Sequence, residues 1–203
     1  LKDKKVFVSK LGVYDCLNVI TSKNKSYSFP YILFFGRFSK YKGIEFLCEA
    51  MELVHKELPQ LKCIIAGGGK LYFDYSKYEN RDYLVLQNEY ISTEKLVGLL
   101  ANSLFSVCPY TDATQSGVIY SSFALKKPVV ASNVGALSDA VIDECTGLLV
   151  EAKNPKALAN AIVKLVQNDK LREKISTNIE NLFFVGKNSW SAIAQNNINI
   201  YKS

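Results

Sequence analysis

From residue 30 onward, the chain alternates short apolar runs with longer amphipathic stretches. Six of the apolar runs have the length of a strand, and they cover residues 30–35, 61–66, 83–87, 104–108, 128–131 and 147–150. Between them, apolar residues recur at the spacing of one helix face. Repeated strand–helix units are typical of a parallel sheet with helices on both faces. The pattern therefore predicts an α/β fold, doubly wound around a mainly parallel sheet.

Two helix starts carry a local signal in addition to the apolar spacing. The Ser92 hydroxyl is suited to accept a hydrogen bond from a first-turn amide. Asn154 followed by Pro155 is a cap residue followed by proline at the first helical position. The spacing predicts helices over residues 44–58, 92–100, 117–125, 154–166, about 169–182, and 188–201.

Residues 1–29 do not follow the alternation. Val6–Val8 could form a short strand, and the polar residues 21–28 are typical of a linker. We therefore expect a leading segment and linker at 1–29, a doubly wound α/β domain at 30–185, and a C-terminal helix or tail at 186–203. Residue 1 is Leu and no signal-peptide pattern follows it, so we expect this chain to be part of a longer protein.

The charge is unevenly distributed along the chain. The formal net charge is +6, but residues 1–42 contain nine basic and two acidic side chains, so this segment carries +7 and the remainder −1. An excess confined to one end does not indicate a nucleic-acid-binding face. A solvated linker explains the excess, with a phosphate-bearing ligand or a peripheral contact with an anionic membrane as alternatives. No apolar run approaches the roughly 20 residues that span a bilayer.

Cysteine and histidine usage narrows the chemistry. The five cysteines are odd in number, widely spaced and without a Cys-x-x-Cys pair, so neither a disulfide framework nor a zinc site is indicated. Reduced thiols predict a cytoplasmic location. The single histidine, His55, lies in a charged helical stretch, which disfavours a Ser-His-Asp or Cys-His mechanism in this domain.

Three polar loops follow predicted strands, at the sheet edge where doubly wound folds bind ligands. The first loop contains Arg37, whose planar fork matches phosphate oxygens, and Lys42, a compact point charge. The second is the glycine cluster 67–69, which is weak evidence alone because any tight turn uses glycine. The third covers residues 110–118 and leads into a helix whose free amides favour an anion. An ordinary capped helix would not need so long a polar run.

The order of these motifs resembles the C-terminal half of family-4 retaining glycosyltransferases of GT-B fold. The resemblance covers about residues 30–170, and it is carried by Gly36-Arg37-x4-Lys42-Gly43, Ile64–Gly69, Pro109-Tyr110 through Thr114–Val118, Lys127–Ser132 and Val134–Leu137. It implies the donor-binding half of an enzyme that is active only at full length. Residues 1–29 would then be the tail of the N-terminal half and the interdomain linker, and residues 30–185 the Rossmann-like nucleotide-sugar-binding domain. That enzyme moves a sugar from a nucleotide-diphosphate sugar to a saccharide or lipid-linked acceptor, in surface polysaccharide or glycolipid synthesis.

The resemblance also implies roles for single residues. Arg37 and Lys42 would be catalytic, because they neutralise charge on the departing diphosphate without a metal or any other cofactor. The absence of Asp-x-Asp agrees with this, since a bound cation needs clustered carboxylates. The remaining expected donor contacts are Gly36, Gly67, Gly68, Tyr90, Ile91, Asp112, Thr114, Gln115, Ser116, Gly117, Val118 and Ser121. The base of the nucleotide is expected to lie near the backbone of Tyr90 and Ile91.

One departure from the family pattern concerns donor recognition. The family often carries two glutamates eight positions apart, and these fall on Ala113 and Ser121. Ser121 retains a hydroxyl for one hydrogen bond to the ribose, but no carboxylate clamps both ribose hydroxyls. Asp112 or Thr114 would have to supply the sugar contact. We therefore expect a subgroup with different donor recognition.

Three alternatives compete with a transferase. One is a nucleotide-sugar-binding domain without activity of its own, and another is a sugar-nucleotide epimerase of GT-B fold, which would need its own acids and bases in the cleft. The third is an unrelated doubly wound signalling module, which has no use for both a basic loop and a polar helix start at one edge. The missing N-terminal domain is the expected protein partner, and a lipid-linked acceptor would place the enzyme at the inner face of the membrane.

Overall fold

The computed structural model describes residues 6–20 and 27–202. At its centre lies a six-stranded sheet formed by β1 (Tyr31–Phe35), β2 (Lys62–Gly67), β3 (Leu84–Asn88), β4 (Ser106–Cys108), β5 (Val129–Ser132) and β6 (Gly147–Val150). The strand order is β3-β2-β1-β4-β5-β6, and every neighbouring pair is parallel. All six predicted strands are present, and the doubly wound, Rossmann-like α/β fold is confirmed.

Helices connect the strands and cover both faces of the sheet. They are α1 (Ile44–Glu57), α2 (Thr93–Asn102), α3 (Gly117–Ala124), α4 (Leu137–Ala140), α5 (Pro155–Gln167), α6 (Asp169–Glu180) and α7 (Trp190–Lys202). Short 3-10 turns occur at Asp15–Val19, Lys40–Lys42 and Ser76–Tyr78, and a π-helical turn at Asn181–Val185 follows α6. The pattern did not predict α4 or these turns, because four residues or so are too few for a periodic signal.

The continuous apolar strands are explained by burial on both faces. In β1, Ile32 and Phe34 belong to the larger core cluster, on the side of α1. Leu33 and Phe35 belong to a second cluster on the opposite face, together with Leu100 of α2. Since alternate residues of a strand point to opposite faces, a strand covered on both sides has no polar positions.

Both predicted helix caps are present. The Ser92 hydroxyl accepts a hydrogen bond from the Lys95 amide at 3.3 Å. The Asn154 side-chain oxygen accepts one from the Ala157 amide at 2.9 Å, and Pro155 is the first residue of α5. These contacts begin two helices whose buried faces pack on the sheet.

The cap of α5 gives a first testable prediction. Asn154→Ala is expected to lower the free energy of unfolding by about 1 kcal/mol, because the Ala157 amide loses its acceptor. Asn160→Ala is the matched control, since Asn160 is exposed in the interior of the same helix and alanine favours helix there. Urea unfolding of both variants measures the difference, and equal stabilities would show that the cap contributes nothing.

The leading segment differs from its prediction. Val6, Phe7 and Val8 form no strand, and their side chains are 86%, 50% and 83% exposed, so the predicted strand is wrong. Three apolar residues did not suffice, because no strand of the sheet pairs with them. Farther along, Val13 is buried, and its carbonyl accepts a hydrogen bond from the Trp190 indole nitrogen at 2.7 Å. The predicted linker 21–28 lies largely outside the described residues.

Candidate functional site

The site is located by the strand order. β1 lies between β2 and β4, so the strand order reverses at β1. In such sheets a crevice forms at the carboxyl ends of the two strands where the order reverses, here β1 and β4. The loop after β1 contains Arg37 and Lys42, and the loop after β4 contains residues 109–116. The predicted functional loops therefore meet at the switch point of the sheet.

A pocket of about 520 Å³ lies where the loops after β1, β2 and β3 come together. It is lined by Phe35, Gly36, Arg37, Gly67, Gly68, Gly69, Tyr90, Ile91 and Leu96. The structure thus brings together the six predicted contacts Gly36, Arg37, Gly67, Gly68, Tyr90 and Ile91. Tyr90 is 88% exposed, so its ring is available at the pocket for stacking with a planar group.

The glycine cluster has a structural role in forming this pocket. Gly67 has φ +154°, and a Cβ at this position would lie 2.0 Å from the Gly36 carbonyl oxygen. The loops are also joined by a hydrogen bond from the Phe38 amide to the Gly68 carbonyl at 3.0 Å. Glycine at position 67 is therefore required by the close approach of two loops, whether or not a ligand lies against it.

Arg37 is exposed at this pocket and forms no ion pair within the described part of the chain. Its five donors are therefore not occupied by a carboxylate. A planar guanidinium next to a glycine-lined pocket is suited to bind the oxygens of a phosphate or diphosphate.

Lys42 does not line that pocket but turns toward the loop after β4. Its side chain is only 7% exposed, and its ammonium donates a hydrogen bond to the Tyr110 hydroxyl at 2.6 Å. The Ser116 hydroxyl donates to the same Tyr110 oxygen at 3.4 Å. Burial lowers the pKa of Lys42. The contact through Tyr110 therefore brings a buried cation close to the start of α3.

The start of α3 differs from an ordinary helix cap. Ser116 occupies the cap position, but its side chain makes no cap hydrogen bond and turns to Tyr110 instead. Gly117 is the first residue of the helix and Val118 the second. Tyr14 of the leading segment lies close to Gly117, because a Cβ at position 117 would be 3.2 Å from the Tyr14 hydroxyl. First-turn amides without a side-chain acceptor, at the positive end of the helix dipole, favour an anion.

A second, smaller pocket of about 320 Å³ lies beside the loop after β4. It is lined by Tyr41, Asp112, Ala113, Thr114 and Gln115. Three predicted donor contacts, Asp112, Thr114 and Gln115, are therefore exposed together here. They face a different pocket from Arg37 and Tyr90.

The two positions without glutamate are both largely buried. Ala113 is 9% exposed, and its carbonyl oxygen packs against Gly135. Ser121 is 8% exposed, and its hydroxyl donates to the Gly117 carbonyl within α3 at 2.9 Å. The hydroxyl proton is thus used by the helix, and toward a ligand Ser121 offers only its lone pairs as acceptors.

Two aromatic residues of the site, Tyr110 and Tyr41, were not predicted from the sequence. Their rings meet edge to face with centroids 5.8 Å apart, and the Lys42 nitrogen lies 3.9 Å from the Tyr110 centroid and 5.1 Å from the Tyr41 centroid. The available signal was an aromatic residue next to Lys42 and another two residues after the end of β4. His55 of α1 stacks on Tyr83, with ring centroids 4.5 Å apart, and lines neither of the two pockets.

Two negative findings apply to the described ranges only. Within residues 6–20 and 27–202, no group of three or more His, Cys, Asp or Glu side chains is arranged to hold a metal ion. Over the same ranges, none of the helices combines the length and apolarity that crossing a bilayer requires.

The chain is similar in sequence to known glycosyltransferases. Residues 29–168 match the family model described as glycosyl transferases group 1. The chain is 30% identical over 161 residues to the uncharacterized glycosyltransferase MJ1178 of Methanocaldococcus jannaschii, covering 78% of this chain and 44% of that protein. It is also 30% identical over 157 residues to the capsular polysaccharide biosynthesis glycosyltransferase CapM of Staphylococcus aureus, covering 73% and 40%. The chain thus spans less than half the length of these relatives.

Solved structures share the fold. The C-terminal domain of the group 1 glycosyl transferase LpcC from Francisella tularensis superposes with a TM-score of 0.67 at 20% identity, covering 82% of this chain and 94% of that one. Anabaena HepE in complex with UDP-glucose gives a TM-score of 0.71 at 17% identity, covering 87% and 50%. The family match extends over more than half of the residues, and the loops at the switch point lie within it. The chain belongs to the glycosyl transferases group 1 family.

Proposed function

We propose that this chain is the C-terminal, donor-binding domain of a family-4 retaining glycosyltransferase of GT-B fold. In the full-length enzyme it would bind a nucleotide-diphosphate sugar, and the sugar would pass to a saccharide or lipid-linked acceptor held mainly by an N-terminal domain. The chain alone would bind the donor without transferring it. The position of LpcC's matching region, a C-terminal domain, supports this assignment.

One observation carries the proposal most directly. At the crevice between β1 and β4, the Tyr110 hydroxyl accepts hydrogen bonds from both the buried Lys42 ammonium and the hydroxyl of Ser116, the cap residue of α3. A cation and a helix start at one point attract the same anion. In a nucleotide sugar, the anionic group that would bind beside Lys42 and the start of α3 is the diphosphate.

The chemistry that we propose for these residues is electrostatic. As the bond from the sugar to the diphosphate breaks, negative charge builds up on the leaving diphosphate oxygens. Arg37 and Lys42, with the amides of Ser116, Gly117 and Val118, would stabilise that charge, and their fixed positions avoid reorganisation during the reaction. We propose that no metal or other cofactor takes part, because these cations perform the neutralising role.

The pocket beside Arg37 is the proposed place of the nucleoside. Tyr90 and Ile91 would contact the base, and Gly36, Gly67 and Gly68 would leave room for the ribose and the diphosphate. Asp112, Thr114 and Gln115 line the second pocket and would contact the sugar, while Ser121 would accept one hydrogen bond from a ribose hydroxyl. The HepE structure is a complex with UDP-glucose, which supports a nucleotide sugar as donor.

The biological setting is part of the proposal. The name of CapM supports a role in surface polysaccharide synthesis, and synthesis of a glycolipid is the variant with a lipid-linked acceptor. All five cysteines are free thiols, which favours the reducing cytoplasm. A lipid-linked acceptor would place the enzyme at the inner face of the membrane.

A nucleotide panel tests the proposal on the chain itself. UDP, GDP, ADP and CMP are each added, and unfolding is followed by thermal scanning. A nucleotide at a hundred times its dissociation constant should stabilise the domain by about 2.7 kcal/mol, which corresponds to a rise in Tm of roughly 5–10 °C for a domain of this size. The diphosphates should exceed CMP, because a single phosphate satisfies fewer of the donors.

The outcomes are distinct. No shift with any of the four nucleotides would contradict donor binding. A full-length enzyme that exchanged epimers of the nucleotide sugar without an acceptor would favour the epimerase instead.

A further inference from the structure

Lys42 is a buried cation without an anionic partner. Within the described ranges, no carboxylate lies within 4.0 Å of its ammonium, and its one hydrogen bond is to the Tyr110 hydroxyl at 2.6 Å. The ammonium also lies near two aromatic faces, 3.9 Å from the Tyr110 centroid and 5.1 Å from the Tyr41 centroid. Phenol oxygens and ring faces stabilise an ammonium only in part, so the site favours an approaching anion.

The Tyr110 ring is held firmly in place. It is 1% exposed, and its hydroxyl also accepts a hydrogen bond from Ser116 at 3.4 Å. The neighbouring Thr111 amide donates to the Tyr41 carbonyl at 2.8 Å, which joins the loop after β4 to the loop after β1. Tyr110 is therefore a fixed support, while Lys42 is a flexible four-carbon side chain.

We propose that Tyr110 is a positioning residue whose hydroxyl and ring hold the Lys42 ammonium beside the first turn of α3, so that the cation and the helix amides bind the same phosphate group. Tyr110 acts through Lys42 and does not itself touch the donor. The inference rests on the proposed function, because it assigns the phosphate to a nucleotide sugar.

The physical gain is preorganisation. An exposed lysine loses side-chain rotamer entropy when it is fixed on a ligand. Here that entropy is already lost in the folded protein, because the ammonium is held by Tyr110. The diphosphate then meets a cation that is partly desolvated and already in place.

A double-mutant cycle on nucleotide affinity tests the inference with this chain. The probe is whichever of UDP, GDP and ADP binds the unmodified chain most tightly, measured by calorimetry. Lys42→Met, which keeps the volume and removes the charge, should weaken binding about 100-fold. Tyr110→Phe should weaken it about 10-fold. The dissociation constant of the double variant should equal that of Lys42→Met within about two-fold, because the Tyr110 hydroxyl acts only through the Lys42 ammonium.

The pH dependence provides a readout that a purely structural role would not change. Only the protonated amine binds the diphosphate, so affinity falls as the pH rises through the lowered pKa of Lys42. Removing an acceptor that favours the charged amine lowers this pKa further, so Tyr110→Phe should shift the fall to lower pH. The other titratable groups that face Lys42 are Tyr41 and Cys108. They are present in both the unmodified chain and the Tyr110→Phe variant, so they do not cause a difference between the two pH profiles.

Tyr31→Phe is the matched control for loss of stability. Tyr31 is 2% exposed, and its hydroxyl donates to the Leu99 carbonyl at 2.8 Å, at the start of β1 and away from the site. This variant should melt at a lower temperature and bind the nucleotide within about two-fold of the unmodified chain.

Each outcome decides one question. If Tyr110→Phe weakens binding by the same factor with and without Lys42, or leaves the pH profile unshifted, the positioning role is wrong. If Tyr110→Phe binds as tightly as the unmodified chain while Lys42→Met does not, Lys42 acts without Tyr110. If no nucleoside diphosphate binds the unmodified chain, the proposed function fails as well.

Discussion

Arg37→Ala in the full-length enzyme is expected to lower the rate of sugar transfer about 10²- to 10³-fold, the range found when one fixed donor to a developing negative charge is removed. Arg37 is exposed beside the glycine-lined pocket and has no carboxylate partner within the described part of the chain. Under the proposed function, its loss would remove stabilisation from the leaving diphosphate, and no buried charge would be left unpaired. Folding should be unaffected, and Tm should change little.

Two variants sharpen this measurement. Arg37→Lys keeps a positive charge but loses the planar fork, so it should recover only part of the rate. Arg81→Ala is the matched control, because Arg81 is also exposed but precedes β3. It therefore lies at the amino-terminal ends of the strands, whereas the site lies at their carboxyl ends. This variant should transfer at the unmodified rate. Arg37→Ala acting as fast as Arg81→Ala would remove Arg37 from the mechanism.

Gly43→Ala is expected to lower the free energy of unfolding by about 3–5 kcal/mol, because two independent penalties combine at this residue. Its φ is +63°, in the left-handed region, and a Cβ would lie 2.0 Å from the Pro109 carbonyl oxygen. Pro109 belongs to the backbone that carries Tyr110, so the loop after β4 would have to move away from the loop after β1. The measurement is urea unfolding of this chain.

Gly68→Ala is the matched control for Gly43→Ala. Gly68 has no left-handed φ, and the nearest atom to a Cβ at this position would be the Glu89 carbonyl oxygen, at 3.4 Å. The expected cost is therefore below about 1 kcal/mol. If both variants unfolded at the same urea concentration, the close approach of Gly43 to Pro109 would not stabilise the crevice.

Much of the fold could be predicted because the relevant signals are local. The central strand β1 is a continuous apolar run buried on both faces, and the caps at Ser92 and Asn154 need only neighbours three residues away. Val6–Val8 shows the limit of this reasoning, since a strand also requires a partner edge, which three residues in sequence do not reveal. The π-helical turn at Asn181–Val185 likewise left no periodic signal.

The site was predictable at the level of loops but not of side chains. The glycine, Arg37 and Tyr90 positions share a pocket because parallel strands end at one edge. The contact between Lys42 and Tyr110 joins residues 68 positions apart and depends on β1 lying next to β4. Sequence pattern places both loops at the same edge, yet it does not state that Lys42 turns to an aromatic ring instead of to the pocket of Arg37.

The indole of Trp190 has a consequence for how the molecule opens. It donates to the Val13 carbonyl and packs against Gly12, where a Cβ would lie 2.6 Å from the ring. This hydrogen bond joins residues 177 positions apart in sequence, so the folded domain brings the two segments together at a high cost in loop-closure entropy. We therefore expect detachment of α7 and release of residues 12–19 to be coupled, so that fraying of one segment exposes the other.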